Sequence, residues 1–343
     1  MRRVKIGGLL CLLAFAVIFP LVFSNSAITS IAVFTLLYAG AATGWNIFSG
    51  YTGYFSLGHA VFYGVGAYTL ALLCRDWNVA SGYTPFLLFP LSGLLAGLFA
   101  IPLGWIALRV RKHVFVVVTI ALFFIMQLLA YNLHGITNGS AGIVLPFPGD
   151  WGDTFFNLPF YYVGLLLLLL ALAVSWRIRH SKYGLGLLAI RDDEDRALGL
   201  GVKTGSFKLS AYVLSAVLVG MSGALYAYFV GEVYPQFVFD PVFDVTVVMI
   251  VLLGGFGTLS GPIIGAVLLV PLQQVITIEF GASSLDLIAY GALFLLILLF
   301  LPEGIVPSLQ TIWISWKASR TKAVRANGAA SQDHAVLAER REV

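Results

Sequence analysis

An all-α, polytopic membrane fold is what this chain of 343 residues predicts, and three observations carry the prediction. Apolar residues make up 59% of it, against roughly 45–50% in an ordinary soluble domain, and the mean hydropathy is +0.94. They come in continuous runs near the ~20 residues that a helix needs to cross a bilayer. A membrane barrel would instead show alternating segments of about ten residues. Finally, only 10% of the residues are charged, yet many are gathered in one stretch, 177–206, with an apolar run on each side.

The rest of the composition narrows the class. The 36 glycines and the 14% of aromatic residues suit helices that approach closely in lipid. A net charge of +4 has no bearing on nucleic acid, because the basic residues form no stripe. Cys11 and Cys74 are far apart in apolar surroundings and read as core residues, not as a disulfide or metal pair.

Apolar runs place spans near 6–23, 27–48, 54–74, 84–108, 114–133, 159–176, 208–230 and 285–301. Arg2, Arg3 and Lys5 precede the first run. It is either a signal peptide or an uncleaved span oriented by that flank, and a polytopic chain favours the span. With the N-terminus cytoplasmic, alternation puts Arg109, Arg111, Lys112 and the basic residues of 177–208 on the same side. Only Arg75 falls outside, provided that the polar tail is also cytoplasmic.

That proviso constrains 244–273, where Gly254, Gly255, Gly257, Gly261, Pro262 and Gly265 interrupt the apolar run. Read as two half-length helices around a break that returns to the same side, the region leaves the tail inside. Two full, tilted helices are the alternative. The expectation is about eight full transmembrane helices plus a broken or re-entrant pair. Together they form a transmembrane domain at 1–316, followed by a disordered cytoplasmic tail at 317–343.

An earlier segment repeats the pattern: Gly50, Gly53 and Ser56 are spaced like Gly254, Gly257 and Ser260. Interrupted segments in two halves mark a transport route, although glycines also serve plain close packing. Asn46, Ser49, Ser56, Gly58, His59 and Ser260 are candidate path residues, because polar and ionisable groups in spans face the bundle interior. The bland alternative is interhelical hydrogen bonding. Beyond the spans, the loop at 132–159 is too long for a simple connection, and its Asn138, Gly139 and Ser140 are either an external gate or a turn. Glu232, Asp240 and Asp244 are expected near the outer face.

Within 177–206, SKYGLGLLAIRDDEDRALGLGV reads as two short helices. Leu187 and Ile190 share a face that is expected to be exposed to the cytosol. Asp192 is the expected N-cap of the second helix, with Asp195 completing the box and Arg196 pairing back to Asp192. Gly199 or Gly201 ends the element. The product is a small amphipathic knob; a solvated, merely orienting loop is the alternative.

These residues resemble the coupling loop of ABC-importer permeases, specifically the branched-chain amino acid permeases of the LivM type. Four further blocks carry the resemblance in order across 27–307. They are GWNIFSGYTGYFSLGHAVFYGVGAYTLALL from Gly44, ITNGSAGI from Ile136, VVMIVLLGGFGTLSGPIIGAVLL from Val247 and LPEGIVP from Leu301. Two features depart from the pattern: Leu185 stands where the family often has a basic residue, and 190–199 is slightly short.

The resemblance implies half of a transmembrane pore in a bacterial inner membrane. A paralogous permease would supply the other half, two cytoplasmic ABC ATPases would drive it, and a periplasmic or lipid-anchored binding protein would deliver substrate. Leu187, Ile190, Arg191, Asp192, Asp193, Glu194 and Gly199 would then couple to an ATPase. The chain has no GxxxxGK[ST] phosphate loop, so no cofactor is expected and ATP belongs to the partners.

The implied cargo is a branched-chain or other apolar amino acid, with urea or a short amide as alternatives. An ion-coupled secondary transporter would place carboxylates in the membrane, and the expected spans before Asp286 hold none away from their ends. A membrane enzyme would need converging acids, bases or metal ligands, which five scattered histidines do not provide.

Overall fold

The computed structural model describes residues 2–23, 25–146, 148, 151, 156–280, 291–292, 295–296, 299, 304–309 and 311. The expected span at 285–301 lies largely outside these residues, as does Leu301–Glu303 of the final sequence block; the tail at 317–343 lies wholly outside them. Helix α1 is Arg2–Val22, and α2 is Ser26–Trp45, which starts where Asn25 Oδ1 accepts the Ala27 N–H at 2.9 Å. A π-helical turn, Asn46–Gly50, prolongs α2. After a non-helical stretch come α3 (Ala60–Asp76), a 3₁₀ entry at Thr84–Leu88, α4 (Phe89–Ala107) and α5 (Lys112–Asn132).

The short α6 (His134–Thr137) leads to strand β1 (Ile143–Val144), and α7 is Asn157–Arg179. The charged stretch folds as α8 (Lys182–Asp192) and α9 (Glu194–Gly199). Helix α10 (Thr204–Val230) follows, then β2 (Glu232–Val233), the short α11 (Pro235–Val238), α12 (Pro241–Gly254) and α13 (Gly261–Phe280).

Helix α10 is the hub and packs most extensively on α3 and α4, then on α2. Small residues make this possible. A Cβ on Gly66 would overlap the Gly220 carbonyl, and one on Gly223 would overlap the Tyr63 carbonyl, so α3 and α10 meet backbone to backbone. Polar side chains fix neighbouring helices: Asn157 Nδ2 donates to Thr29 Oγ1 (2.8 Å) and the Ser26 carbonyl (2.9 Å), joining α7 to the start of α2. At the end opposite the charged loop, β1 and β2 pair antiparallel, Ile143 opposite Val233 and Val144 opposite Glu232.

Among the described residues, six helices are long and apolar enough to cross a membrane: Ser26–Gly50, Thr84–Ala107, Lys112–Asn132, Asn157–Arg179, Thr204–Val230 and Pro235–Gly254. Two expectations change. The span expected at 54–74 starts only at Ala60, because Gly53 has φ +71° and the chain through it cannot be helical. The pair expected to be two half-length helices is asymmetric. Helix α12 has 14 residues, about 21 Å, and continues the short α11 into the spanning segment Pro235–Gly254, whereas α13 has 20 residues, about 30 Å.

Replacing Gly66 with alanine forces α3 away from α10, at a cost of about 1–3 kcal/mol. Thermal unfolding of the detergent-solubilised protein is expected to show a lower midpoint for Gly66→Ala. No such change is expected for Gly135→Ala, where a Cβ would meet open space.

Candidate coupling and translocation site

Both chain breaks lie at the end of the bundle that carries the charged loop, and they touch. Gly53 and Gly257, the matched glycines of the two segments, share one left-handed conformation, with φ +71° and +73°. Asn46 on the π-turn bridges the breaks: its Oδ1 accepts the Gly257 N–H and its Nδ2 donates to the Thr258 carbonyl, each at 2.9 Å. Thr258 Oγ1 then accepts the Gly261 N–H at 3.0 Å and starts α13.

His59 precedes α3 and is fully buried. Its Nδ1 lies 3.0 Å from Ser56 Oγ and its Nε2 2.8 Å from Ser215 Oγ on α10, inside a ring of Trp45, Phe48, Phe62 and Tyr212. Gly58 packs directly on α5, where a Cβ would meet the Thr119 carbonyl at 2.6 Å. Asn46, Ser49, Ser56, Gly58 and His59 are thus buried within this chain's own bundle, whereas Ser260 is exposed.

Asp244 corrects the sequence reading. It was expected near the outer face with Glu232 and Asp240, but it is 2% exposed in the first turn of α12. Its Oδ1 accepts the Ala60 N–H at 3.1 Å, and its Oδ2 has no hydrogen-bond partner among the described residues. The break before α3 leaves N–H groups that nothing local can satisfy, and a carboxylate at a helix N-terminus does so. Asp240 is the N-cap of α12, accepting from the Val242 N–H at 2.9 Å, and Glu232 is exposed in β2.

The loop is a folded knob of two helices, with three corrections of detail. Asp193, not Asp192, caps α9: its Oδ1 accepts the Arg196 N–H at 3.0 Å and its Oδ2 pairs with Arg196 Nε at 2.9 Å. Asp192 closes α8 instead and is exposed. Leu187 and Ile190, expected to face the cytosol, are fully buried, because α8 folds back on the bundle. The apolar residues that the knob does expose are Leu185 (65%), Leu198 (58%) and Leu200 (83%). Gly199 is the last residue of α9, and Gly201 (φ +85°) supplies the left-handed terminus, with the Val202 N–H reaching the Ala197 carbonyl at 3.0 Å.

The knob is fastened to both breaks. Arg191 Nη1 donates to the Gly50 carbonyl at 2.8 Å, and Arg179 Nη1 to the Gly257 carbonyl at 2.8 Å. Lys112 Nζ holds the Arg191 carbonyl at 2.7 Å. Glu194 accepts from Lys208 at the start of α10 and from Tyr54 in the first break, and Lys208 Nζ lies 3.0 Å from the Tyr54 hydroxyl. Burial pushes the Glu194 carboxyl up. The hydrogen bonds from Lys208 and Tyr54 and the charges of Lys208 and Lys112 outweigh it and hold the group below its ordinary value.

Sequence reasoning gave no role to Arg179, Lys208, Tyr54, Ser215 and Thr119, and it misplaced Asp244. Lys208 alone carried a local signal, as a cation opening an apolar run. At the far end, Asn138 and Gly139 are consecutive left-handed residues, and Asn138 Nδ2 closes a turn onto the Gly142 carbonyl at 2.8 Å. Ser140 is exposed on that turn.

The described residues thus form a multi-helix bundle with six helices fit to cross a membrane, a folded charged knob and two touching chain breaks, the architecture of a polytopic membrane protein. Residues 27–300 match the family model described as branched-chain amino acid transport system / permease component, and the chain belongs to that family. It is 32% identical to the high-affinity branched-chain amino acid transport system permease protein LivM of Salmonella typhimurium, covering 87% of this chain and 74% of that protein. LivM of Escherichia coli matches at 32% with the same coverage. Similarity to LivH of Escherichia coli is 24%, over 78% of this chain and 91% of LivH. No solved structure matches the chain.

Because the folded-state Glu194 carboxyl sits low, its contribution is complete above the unfolded carboxylate value of about 4.3. It is lost as the pH falls through the folded value. The melting point of the wild type should therefore drop more between about pH 5 and pH 3 than that of Glu194→Gln. Glu194→Ala leaves the Lys208 ammonium, 5% exposed, without its partner. That variant is expected to lose about 3 kcal/mol at neutral pH, the low end for a buried pair because Glu194 itself is 25% exposed.

Proposed function

We propose that this chain is one permease subunit of an ATP-driven ABC importer that carries branched-chain or other apolar amino acids across a bacterial inner membrane. The observation that carries the reading is the knob. It is a rigid, capped pair of helices fastened to both chain breaks, on a chain that belongs to the branched-chain amino acid permease family. A loop of that construction suits docking on a cytoplasmic ATPase. Leu185, Leu198 and Leu200 are proposed to supply the apolar contact, with Asp192, Asp193, Arg196 and Gly199 of the same knob beside them in sequence. Leu187, Ile190, Arg191 and Glu194 hold the knob in shape from behind.

The partners follow from that role: a paralogous permease to complete the pore, two ABC ATPases to bind and hydrolyse ATP, and a periplasmic or lipid-anchored binding protein. Similarity to both LivM and LivH supports pairing between related permeases. The proposed topology has about eight full spans plus the broken α12–α13 pair, with the N-terminus, the knob and the tail in the cytoplasm. The path is proposed along the face that exposes Ser260. Asn46, Ser56, Gly58 and His59 set its wall from within, and Asn138, Gly139 and Ser140 lie at its outer mouth. No cofactor is proposed for this subunit.

Among the described residues, Asp244 is the observation on the side of ion coupling, since it is a buried carboxylate in a spanning helix. Its bond to the Ala60 N–H gives it a structural task, so the importer reading stands ahead. A urea or short-amide importer differs in cargo alone.

Purification of the tagged chain from its native membrane is expected to bring along a second permease and two ATPases. ATP-dependent uptake of leucine, isoleucine or valine should exceed that of urea. Recovery of the chain without ATPases would overturn the importer reading. In the complex, Leu185→Asp with Leu198→Asp should abolish recovery of the ATPase while leaving the permease in the membrane.

A further inference from the structure

Arg191 and Arg179 reach from the knob and from the end of α7 to the two chain breaks. Each spends its guanidinium on one main-chain carbonyl, and the two carbonyls are those of the two chain breaks. Gly50 closes the π-turn and Gly257 sits inside the second break, so each carbonyl lies at a point where the helix ladder stops. An unpaired carbonyl at a helix end carries partial negative charge, and a guanidinium is a fitting donor.

Arg191 also lies with its guanidinium carbon 5.0 Å from the centre of the Phe256 ring, so one side chain touches both breaks. Space confirms how closely it is enclosed: a Cβ on Gly257 would overlap Arg191 Nη1, and one on Gly53 would meet Arg191 Cγ at 3.1 Å. The connections form a closed ring. Arg191 leads to Gly50, the π-turn carries Asn46, Asn46 holds Gly257, and Gly257 is held by Arg179. Arg179 ends α7, and Ser181 then caps α8, which returns to Arg191.

A hinge is a few residues at element ends that absorb backbone rotation, and two left-handed glycines inside this ring are such residues. We propose that Arg191 and Arg179 are the positioning residues through which displacement of the knob rotates both chain breaks together. In this role the knob does not push on whole helices. It moves two glycine hinges from which the chain leads on to α3 at Ala60 and to α13 at Gly261. The inference deepens the importer reading and rests on it for the direction of the drive.

Two measurements test it. The first uses the full chain in detergent and needs no ATPase: hydrogen exchange of the amides at 51–58 and 255–260. In Arg191→Gln both breaks are expected to exchange at least tenfold faster, although Arg191 bonds to only one of them; Arg179→Gln is expected to do the same. Acceleration confined to the break that loses its bond, or none, would overturn the ring.

The second measurement uses the complete importer in proteoliposomes and reads amino acid carried per ATP hydrolysed. For Arg191→Gln the ratio is expected to fall about tenfold, compared at equal amounts of assembled complex. Arg191→Lys should restore part of the ratio, because it keeps the charge but not the planar contact with Phe256. An unchanged ratio overturns the proposal, as does a fall explained wholly by less assembled complex. If Arg191→Gln does not fold, Arg179→Gln and Arg191→Lys decide by the same criteria. Wild-type proteoliposomes without ATP-driven uptake would overturn the importer reading and with it the drive, leaving the ring to stand or fall on exchange.

Discussion

A broken helix inside an apolar bundle must find partners for every backbone group that it releases, since no bulk water is there to supply them. The arrangement of this protein follows from meeting that demand twice, in adjoining places. In the first break, the Gly53 N–H returns to the Ser49 carbonyl at 3.0 Å and the Tyr54 N–H reaches Thr52 Oγ1 at 3.2 Å. Leu57 donates to Thr119 Oγ1 at 3.2 Å, and Ala60 to Asp244. Trp45 Nε1 takes the Ser56 carbonyl at 2.9 Å, and Arg191 takes that of Gly50. In the second break, Asn46 covers the Gly257 N–H and the Thr258 carbonyl, while Arg179 covers the Gly257 carbonyl.

These partners come from distant parts of the chain, and that makes the breaks organising features. Asn46 reaches from α2 into the second break; Asp244 reaches from α12 to the helix that follows the first. Each broken unit therefore holds the other in shape. The π-turn that carries Asn46 is itself a departure from α-helical geometry of the kind that recurs at functional sites. The two arginines add the charged stretch to this arrangement, so that a segment that looks like a solvated loop is part of the bundle's internal bonding.

The same demand accounts for the buried ion pair. Lys208, at the first turns of α10, has its ammonium at the edge of the bundle with 5% of the side chain exposed. An ammonium there needs a carboxylate and further polar contacts, which Glu194 and Tyr54 provide. The knob's register on the bundle thus has a charged lock on one side and an arginine ring on the other. Its exposed surface is left to the leucines at 185, 198 and 200.

Much of the architecture was legible in the residues. Helix positions at 84–107, 112–132 and 204–230 follow from apolar runs of spanning length, and the glycine clusters near 50 and 255 announce the breaks, because a left-handed residue stops a helix wherever it stands. The two short helices of the knob and the family itself were also readable, since capping chemistry and sequence blocks are local. What the tertiary structure decided was every pairing over distance: which carboxylate meets the N-terminus of α3, which face of α8 turns inward, and which carbonyls the arginines occupy. Periodicity gives Leu187 and Ile190 a common face, but only the docking of α8 on the bundle determines whether that face meets water or protein. Asp244 read as an outer acid because its local sequence is a helix start. It is buried because the chain breaks some 184 positions earlier, before Ala60, where backbone N–H groups need it. Local chemistry sets where a chain breaks, and packing alone chooses what satisfies the break.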